Sequence, residues 1–195
     1  MSDNIGLWVN DEAPGLGKLL ISEPFMADDN FSRSVIYITA WDETEGVIGF
    51  ILNKSVHLNL TDVIDLKTNL QIPLFLGGPV KKDSLHFIYK STYALYEGSR
   101  NINADIWWGG DFEALKDEIV NNNIVAEDYK FFLGYSGWGI EQLQGEMIEK
   151  SWIVTSTNSD EVFHIDQDLI WREVLRRKGG QYHLLSNFPR NPQHN

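Results

Sequence analysis

Continuous apolar segments along the chain predict short strands that are buried on both faces. The segments 34–41 and 47–53 are apolar at nearly every position, and the turn-forming DETEG separates them, which is typical of a β-hairpin. The apolar run at 129–136 predicts a central strand. Further strands are predicted at 17–22, 73–80, 85–90, 100–108 and 151–155.

Apolar residues recur at helical spacing in the later part of the chain. Helices are predicted from Asp111 onward, over 140–148 and over 167–178, the last with basic residues at its end and Gly179 as a stop. A short helix is predicted over 60–65, after a capping asparagine.

The order of these elements favours an α+β fold. Hairpin-like strands come first and helices follow without a regular βαβ alternation, which weighs against a doubly wound sheet. The chain has 195 residues with no internal repeat or linker, so we expect one domain over 1–195. Its core is expected over about 17–180, with a flexible arm at 1–14 and a flexible tail at 186–195.

Charge and composition exclude several functions. The net charge of −12 opposes direct nucleic-acid binding, because a polyanion is repelled unless basic residues cluster on one face. The absence of cysteine excludes disulfides, thiolate nucleophiles and cysteine zinc sites. The N-terminus has no signal-peptide pattern and no run is long and apolar enough for a membrane span, so we expect a cytoplasmic protein without a membrane partner.

Ser136 resembles a hydrolase nucleophile at first sight, because it lies between glycines after an apolar strand. The nucleophile elbow requires Gly-x-Ser-x-Gly, and here Trp138 stands where the second glycine belongs. The residue types of a triad are present, because His164 or His183 could combine with Asp160 or Asp168. Any chain with five histidines offers such combinations, so their presence is not specific. We therefore interpret Ser136 as part of a structural turn.

Metal and phosphate motifs are also missing from the sequence. The five histidines show neither an i,i+4 pair nor an HExxH motif, and the acidic loops lack the EF-hand rhythm. The PGLGKLL segment lacks the first glycine and the Ser or Thr of a Walker A loop. The sequence thus predicts no metal site and no cofactor.

Three blocks of sequence resemble the YqgE/AlgH family. They are GKLLISEPFMADDNFSRSVIYI with GVIGFILNKSV, then PLFLGGPVKKDSLHFIY, and then FLGYSGWGIEQLQGEMIEKSWIV, together covering roughly 17–177. The resemblance implies an α+β fold with mixed strands curled into a pseudo-barrel and helices packed outside. It also implies a family of unestablished biochemical activity whose members are often labelled transcriptional regulators, with no cofactor or catalytic set.

Two positions depart from that family. It often has Ala where Ser136 stands, so the resemblance implies that the serine is not an essential nucleophile. It also tends to have Glu-His before the acidic turn, where this chain has Ala40 and Trp41 with one extra residue.

Polar and glycine residues at predicted strand ends are the candidate site, because rigid strands hold such loops in place. Our hypothesis is that one groove for an unknown protein or small ligand is lined by Arg33, Gly78, Trp138 and Glu141. The competing interpretation is that the turns that carry these residues serve packing only. The function expected is non-catalytic regulation through such a contact. The alternative is a hydrolase or transferase with a polar site near Asp28, Arg33, Asn53 and Glu141.

Overall fold

The computed structural model describes residues 10–189, which contain ten strands and five α-helices. The strands are β1 (Lys18–Ser22), β2 (Val35–Asp42), β3 (Gly46–Ile51), β4 (Ser55–Asn59), β5 (Pro73–Leu76), β6 (Val80–Lys90), β7 (Arg100–Asn103), β8 (Ile106–Trp108), β9 (Tyr129–Trp138) and β10 (Trp152–Ser156). The helices are α1 (Phe112–Val120), α2 (Ile140–Ile148), α3 (Ser159–Phe163), α4 (Ile170–Lys178) and α5 (Gly180–Ser186). Two 3₁₀ turns lie at Leu60–Asp62 and Ala126–Asp128.

The ten strands form one mixed sheet. Its main path runs β10-β1-β2-β3-β9-β6-β8-β7, and β5 branches from it by pairing with β4 and with β9. The β5–β9 pairing is parallel, whereas the other pairings are antiparallel. The predicted hairpin is present as β2 and β3, with a bulge between Ile38 and Ala40.

The sheet curls so that its far end approaches its beginning. Gly17, just before β1, lies so close to β7 that a Cβ on it would be 3.5 Å from the carbonyl oxygen of Ile102. The side-chain amide of Asn103 also donates a hydrogen bond to the Tyr37 hydroxyl of β2, at 2.9 Å. The predicted α+β class with a curled sheet is confirmed, although β10 and β7 do not pair to close a barrel.

Alternating side chains divide the core between the two faces of the sheet. Along β9, Phe132 belongs to an inner core that also contains Tyr37 and Phe50, while Phe131 faces the opposite side. Helices α3, α4 and α5 pack on the inner core, and their contacts include Trp171 of α4. On the opposite face, α1 and α2 cover two separate clusters. Each helix therefore buries one apolar stripe, as its spacing requires.

Several elements differ from the sequence prediction. The strand predicted at 73–80 ends at Leu76, because glycines follow it, and the segment 100–108 folds as the hairpin β7–β8. The last predicted helix begins at Ile170, three residues later than expected, and 60–65 forms only a 3₁₀ turn. The sequence did not predict β4, α3 or α5.

The predicted arm and tail are described only in part. Residues 1–9 and 190–195 lie outside the described residues. Within the described part, the Asn10 side chain donates to the Trp152 carbonyl and accepts from the Val154 amide of β10. The C-terminal helix α5 continues through Ser186. No helix between residues 10 and 189 combines the length and apolar content needed to cross a membrane.

Candidate functional site

A polar cleft lies where the loop before β2, the start of β4 and the turn before α4 meet. Its main cavity has a volume of about 500 Å³, and an adjoining cavity of about 260 Å³ shares Arg33, Asn53 and Asp168 with it. We call both together the Arg33 cleft. The remaining lining residues are mostly polar: Ser32, Lys54, Ser55, Val56, His57, Leu76, Gln167, Leu169, Trp171 and Arg172.

Arg33 joins distant parts of the chain at this cleft. Its Nη2 donates to the carbonyl oxygens of Phe188 at 2.6 Å and Pro189 at 2.8 Å. The guanidinium also stacks over Trp171, with its carbon 4.1 Å from the ring centroid, which is a favourable cation–π distance. Arg33 thereby connects the loop before β2 with α4 and the C-terminal segment.

Asn53 fixes the backbone on either side of Ser34, directly after Arg33. Its side-chain oxygen accepts from the Val35 amide at 2.9 Å, and its side-chain nitrogen donates to the Arg33 carbonyl at 2.8 Å. These bonds support Arg33 in a left-handed conformation, with φ of 53°, that costs a non-glycine residue on the order of 1 kcal/mol. Both kinds of polar atom on Asn53 are therefore occupied in holding the loop.

Lys54 orders the acidic loop that precedes Arg33. Its Nζ donates to the carbonyl oxygens of Asp29 and Asn30, each at 2.7 Å. Burial lowers the pKa of Lys54, and the nearby charges of Asp28 and Asp29 oppose that effect. Asp28 thus acts on Lys54 through its charge, without itself lining the cleft.

The cleft concentrates positive charge on an acidic protein. Its described lining includes the basic residues Arg33, Lys54 and Arg172 and one carboxylate, Asp168, while the whole chain carries a net charge of −12. His57 also lines the cleft and, like Arg33, has a positive φ, of 57°. Strained non-glycine residues gather at functional sites when the surrounding structure holds them in place.

The other predicted groove residues do not line this cleft. Gly78 packs on β9 so tightly that a Cβ would lie 2.3 Å from the Tyr135 carbonyl oxygen, so close backbone approach requires the glycine. Glu141 is exposed in the first turn of α2, where its negative charge interacts favourably with the positive end of the helix dipole. A groove that uses Arg33, Gly78, Trp138 and Glu141 together stays a prediction.

Trp138 packs in a cluster on the opposite face of the sheet from the inner core. It is 5% exposed, stacks on Phe31 at 5.9 Å and meets Trp152 edge-on at 5.8 Å between ring centroids. Glu146 accepts hydrogen bonds from both indoles, at 2.9 Å from Trp138 and 2.6 Å from Trp152. Glu146 was not predicted from the sequence, although a carboxylate on the apolar side of α2, between two tryptophans in the chain, is a usable signal.

Ser136 belongs to β9 itself, so its assignment to a turn was wrong. The residue is fully buried, and its hydroxyl donates to the carbonyl oxygen of Gly77 at 3.0 Å. A serine that uses its proton to join two chain segments has no base to activate it here. The structure thus gives Ser136 a packing role.

Trp41, one of the residues that depart from the resembled family, lines a separate apolar groove. This groove of about 300 Å³ is formed mainly by α2, including Met147 and Ile148, together with Pro14. Ile148 is 83% exposed there. Among the described residues, the lining of this groove is apolar apart from Gln144.

Comparison with known proteins gives consistent results over nearly the whole chain. The model of a family described as AlgH-like matches residues 19–183. A UPF0301 protein from Cytophaga hutchinsonii is 42% identical over 179 residues, covering 92% of this chain and 98% of the relative. A UPF0301 protein from Bacteroides thetaiotaomicron is 36% identical over 195 residues, covering 100% of this chain and 98% of the relative.

Two solved structures share the fold. The crystal structure of protein DIP2367 from Corynebacterium diphtheriae matches with a TM-score of 0.73 and 23% identity, covering 93% of this chain and 95% of that one. The solution structure of the AlgH protein from Pseudomonas aeruginosa matches with a TM-score of 0.70 and 24% identity, covering 93% and 98%. At this identity the likeness concerns the fold alone.

Proposed function

The chain belongs to the AlgH-like family, and from that premise we propose that it is a non-catalytic, cytoplasmic regulatory protein. In this proposal the Arg33 cleft binds an anionic group, a phosphate or carboxylate, carried by a small ligand or by the end of a protein partner. Occupation of the cleft then changes how the protein engages its regulatory target.

The convergence of basic side chains in one cleft of an acidic protein carries this proposal. Arg33, Lys54 and Arg172 line the cleft, and the hydroxyls of Ser32 and Ser55 add neutral hydrogen-bond donors. Charge-assisted hydrogen bonds to phosphate or carboxylate are among the stronger polar contacts in proteins. The acidic remainder of the surface weakens binding of anions elsewhere, which favours selectivity for this cleft.

The same contacts favour binding over catalysis. Asn53 uses its side chain to hold the backbone, and Lys54 donates to two loop carbonyls. Of the residues in the hydrolase or transferase alternative, Asp28 and Glu141 do not line the cleft beside Arg33. Catalysis needs an acid and a base that face one bound substrate, and the residues named for that alternative do not supply such a pair in this cleft.

Regulation through direct DNA contact is opposed by the net charge of −12. A regulatory role therefore fits better with a signal received through a small ligand or protein contact.

Thermal denaturation with inorganic pyrophosphate and with citrate, each compared with chloride at equal ionic strength, tests the proposal. A probe at tenfold its Kd stabilises the folded state by about 1.4 kcal/mol, which raises Tm by roughly 3–5 °C for a chain of this size. Arg172→Gln should reduce the rise. Arg176→Gln is the matched control, because Arg176 is one turn further along α4 and does not line the cleft. Equal Tm values in both anions and chloride, or equal effects of the two substitutions, would contradict the proposal.

A further inference from the structure

A second cavity, separate from the Arg33 cleft, lies at one end of the inner core. Its volume is about 380 Å³, and it opens between β5, the 3₁₀ turn before β9, and the end of α3. Aromatic side chains of Phe75 and Phe163 form part of its wall, and Lys130 of β9 lines it. We call it the Lys130 cavity.

Lys130 is a buried lysine with no countercharge in the part of the chain that the structure describes. The residue is 8% exposed, and among residues 10–189 its ammonium makes no hydrogen bond and no ion pair. Its contact is with the ring of Phe75, whose centroid lies 4.4 Å from Nζ. Lys178 provides the contrast, because its side chain is 5% exposed but lies against the carboxylates of Asp11 and Glu12. Buried lysines are ordinarily paired in that way.

Burial lowers the pKa of Lys130 to about 8. The titratable groups that line the same cavity are Glu127 from the 3₁₀ turn, Tyr129 from β9 and His164 after α3, while β5 contributes none. The Tyr129 hydroxyl is already bonded to the Tyr96 hydroxyl at 2.8 Å. At pH 7 about a tenth of Lys130 is therefore the free amine, which is the nucleophilic form and is far scarcer for an ordinary lysine.

We propose that Lys130 is a nucleophile that captures a small aldehyde or ketone in this cavity as an imine. The amine nitrogen attacks the carbonyl carbon, the carbonyl electron pair moves to oxygen, and a proton passes from nitrogen to oxygen to give a carbinolamine. The hydroxyl group then takes up a proton, the C–O bond breaks and water leaves as the nitrogen lone pair forms the C=N bond, and the nitrogen releases its remaining proton. Amine and carbonyl compound give imine and water, so no oxidant or reductant is required.

The surroundings of Lys130 favour a carbonyl compound with an apolar or aromatic substituent. Phe75 and Phe163 supply apolar wall, and the His164 imidazole and Glu127 carboxylate line the cavity as groups able to relay the protons. A simple anion would need the charged form of Lys130, which burial disfavours. Imine formation is proposed at the Lys130 cavity and anion binding at the Arg33 cleft, so an experiment can contradict one proposal without contradicting the other.

Reductive trapping tests the proposal on the intact folded protein. The chain is incubated with benzaldehyde and sodium cyanoborohydride at pH 7.5, and the rate of benzylation of each lysine is measured by peptide mass spectrometry. At this pH, a pKa of about 8 gives on the order of 100-fold more free amine than an ordinary lysine has. The lower basicity of Lys130 and its restricted access reduce this kinetic advantage, so we expect Lys130 to react about tenfold faster than the exposed Lys67 or Lys82.

Two controls keep the result interpretable. Lys130→Arg retains charge but cannot form an imine, so it should remove the fast-reacting site, whereas Lys178→Arg should retain it. If Lys130→Arg fails to fold, the pH profile of wild-type labelling replaces it, with a midpoint expected near 8 for Lys130. A Lys130 rate equal to or below that of exposed lysines, or a midpoint above 10, would overturn the proposal.

Discussion

Replacing Trp138 with alanine should destabilise the protein strongly, because its side chain is core and not a free binding surface. The residue is 5% exposed and contacts the rings of Phe31 and Trp152. Truncating a buried tryptophan to alanine costs about 3–5 kcal/mol through lost burial and the cavity left behind. The lost hydrogen bond to Glu146 places the expected value near the middle or top of that range, about 4 kcal/mol.

Trp138→Phe keeps an aromatic ring but removes the indole N–H, so it distinguishes the contribution of ring packing from that of the hydrogen bond. Phenylalanine keeps part of the stacking on Phe31 but leaves Glu146 without one of its two indole donors, so a loss of about 1–2 kcal/mol is expected. The two variants should therefore differ clearly in stability.

Urea denaturation followed by far-UV circular dichroism measures both losses without relying on tryptophan fluorescence. With an m value of about 2 kcal/mol/M, Trp138→Ala should lower the unfolding midpoint by about 2 M. A loss below about 1 kcal/mol for Trp138→Ala would contradict the core position of this side chain. It would move Trp138 from the core to a surface available for a partner.

The remaining predictions concern chemistry and charge. Ser136→Ala should cost at most about 1 kcal/mol in thermal denaturation, because Gly77 loses one bond from a hydroxyl, and a fluorophosphonate probe should leave wild-type Ser136 unlabelled. Duplex DNA should bind with a Kd of ~10⁻⁴ M or weaker at physiological salt in gel-shift titrations, and submicromolar, sequence-selective binding would contradict this. Lys130→Met should stabilise the protein by about 3 kcal/mol at pH 7, which corresponds to the difference between a pKa of about 8 and the ordinary 10.5. Between pH 8 and 10.5 the unfolded state holds more protons than the folded state, so the free energy of unfolding of the wild type rises with pH through that window. The difference in stability between Lys130→Met and the wild type should therefore shrink. A stability difference that does not change with pH would contradict this prediction.

The parts of the fold with strong apolar periodicity could be predicted from sequence. The β2–β3 hairpin and helix α2 follow directly from which residues are apolar, and the structure places both close to the predicted bounds. Strand β4 could not be found in this way, because its side chains are largely exposed or half-buried and carry no alternation. Helix α5 was hidden by Gly179 and Gly180, since the second glycine begins the helix and packing of Tyr182 in the inner core supports it.

The candidate site depends on contacts between distant segments, which no local pattern contains. Arg33 was predicted at the site, but its bonds reach Phe188 and Pro189, 155 and 156 residues further along the chain. Lys130 had a visible signal, a lone charge within the apolar run YKFFLGYS. Sequence alone does not reveal whether such a lysine extends to solvent or stays buried, because that depends on which strands and helices cover it.

A titration of ¹⁵N-labelled protein with inorganic pyrophosphate, followed by two-dimensional amide NMR at constant ionic strength, tests directly whether the Arg33 cleft is the ligand site. We expect saturable shift changes confined to residues 32–34, 53–57 and 167–172, which border the Arg33 cleft. We also expect Arg172→Gln to weaken binding by about fivefold, through loss of an exposed charge contact, while Arg176→Gln leaves binding unchanged. Shift changes that concentrate elsewhere on the protein, or that never saturate, would contradict the assignment of the cleft as the ligand site.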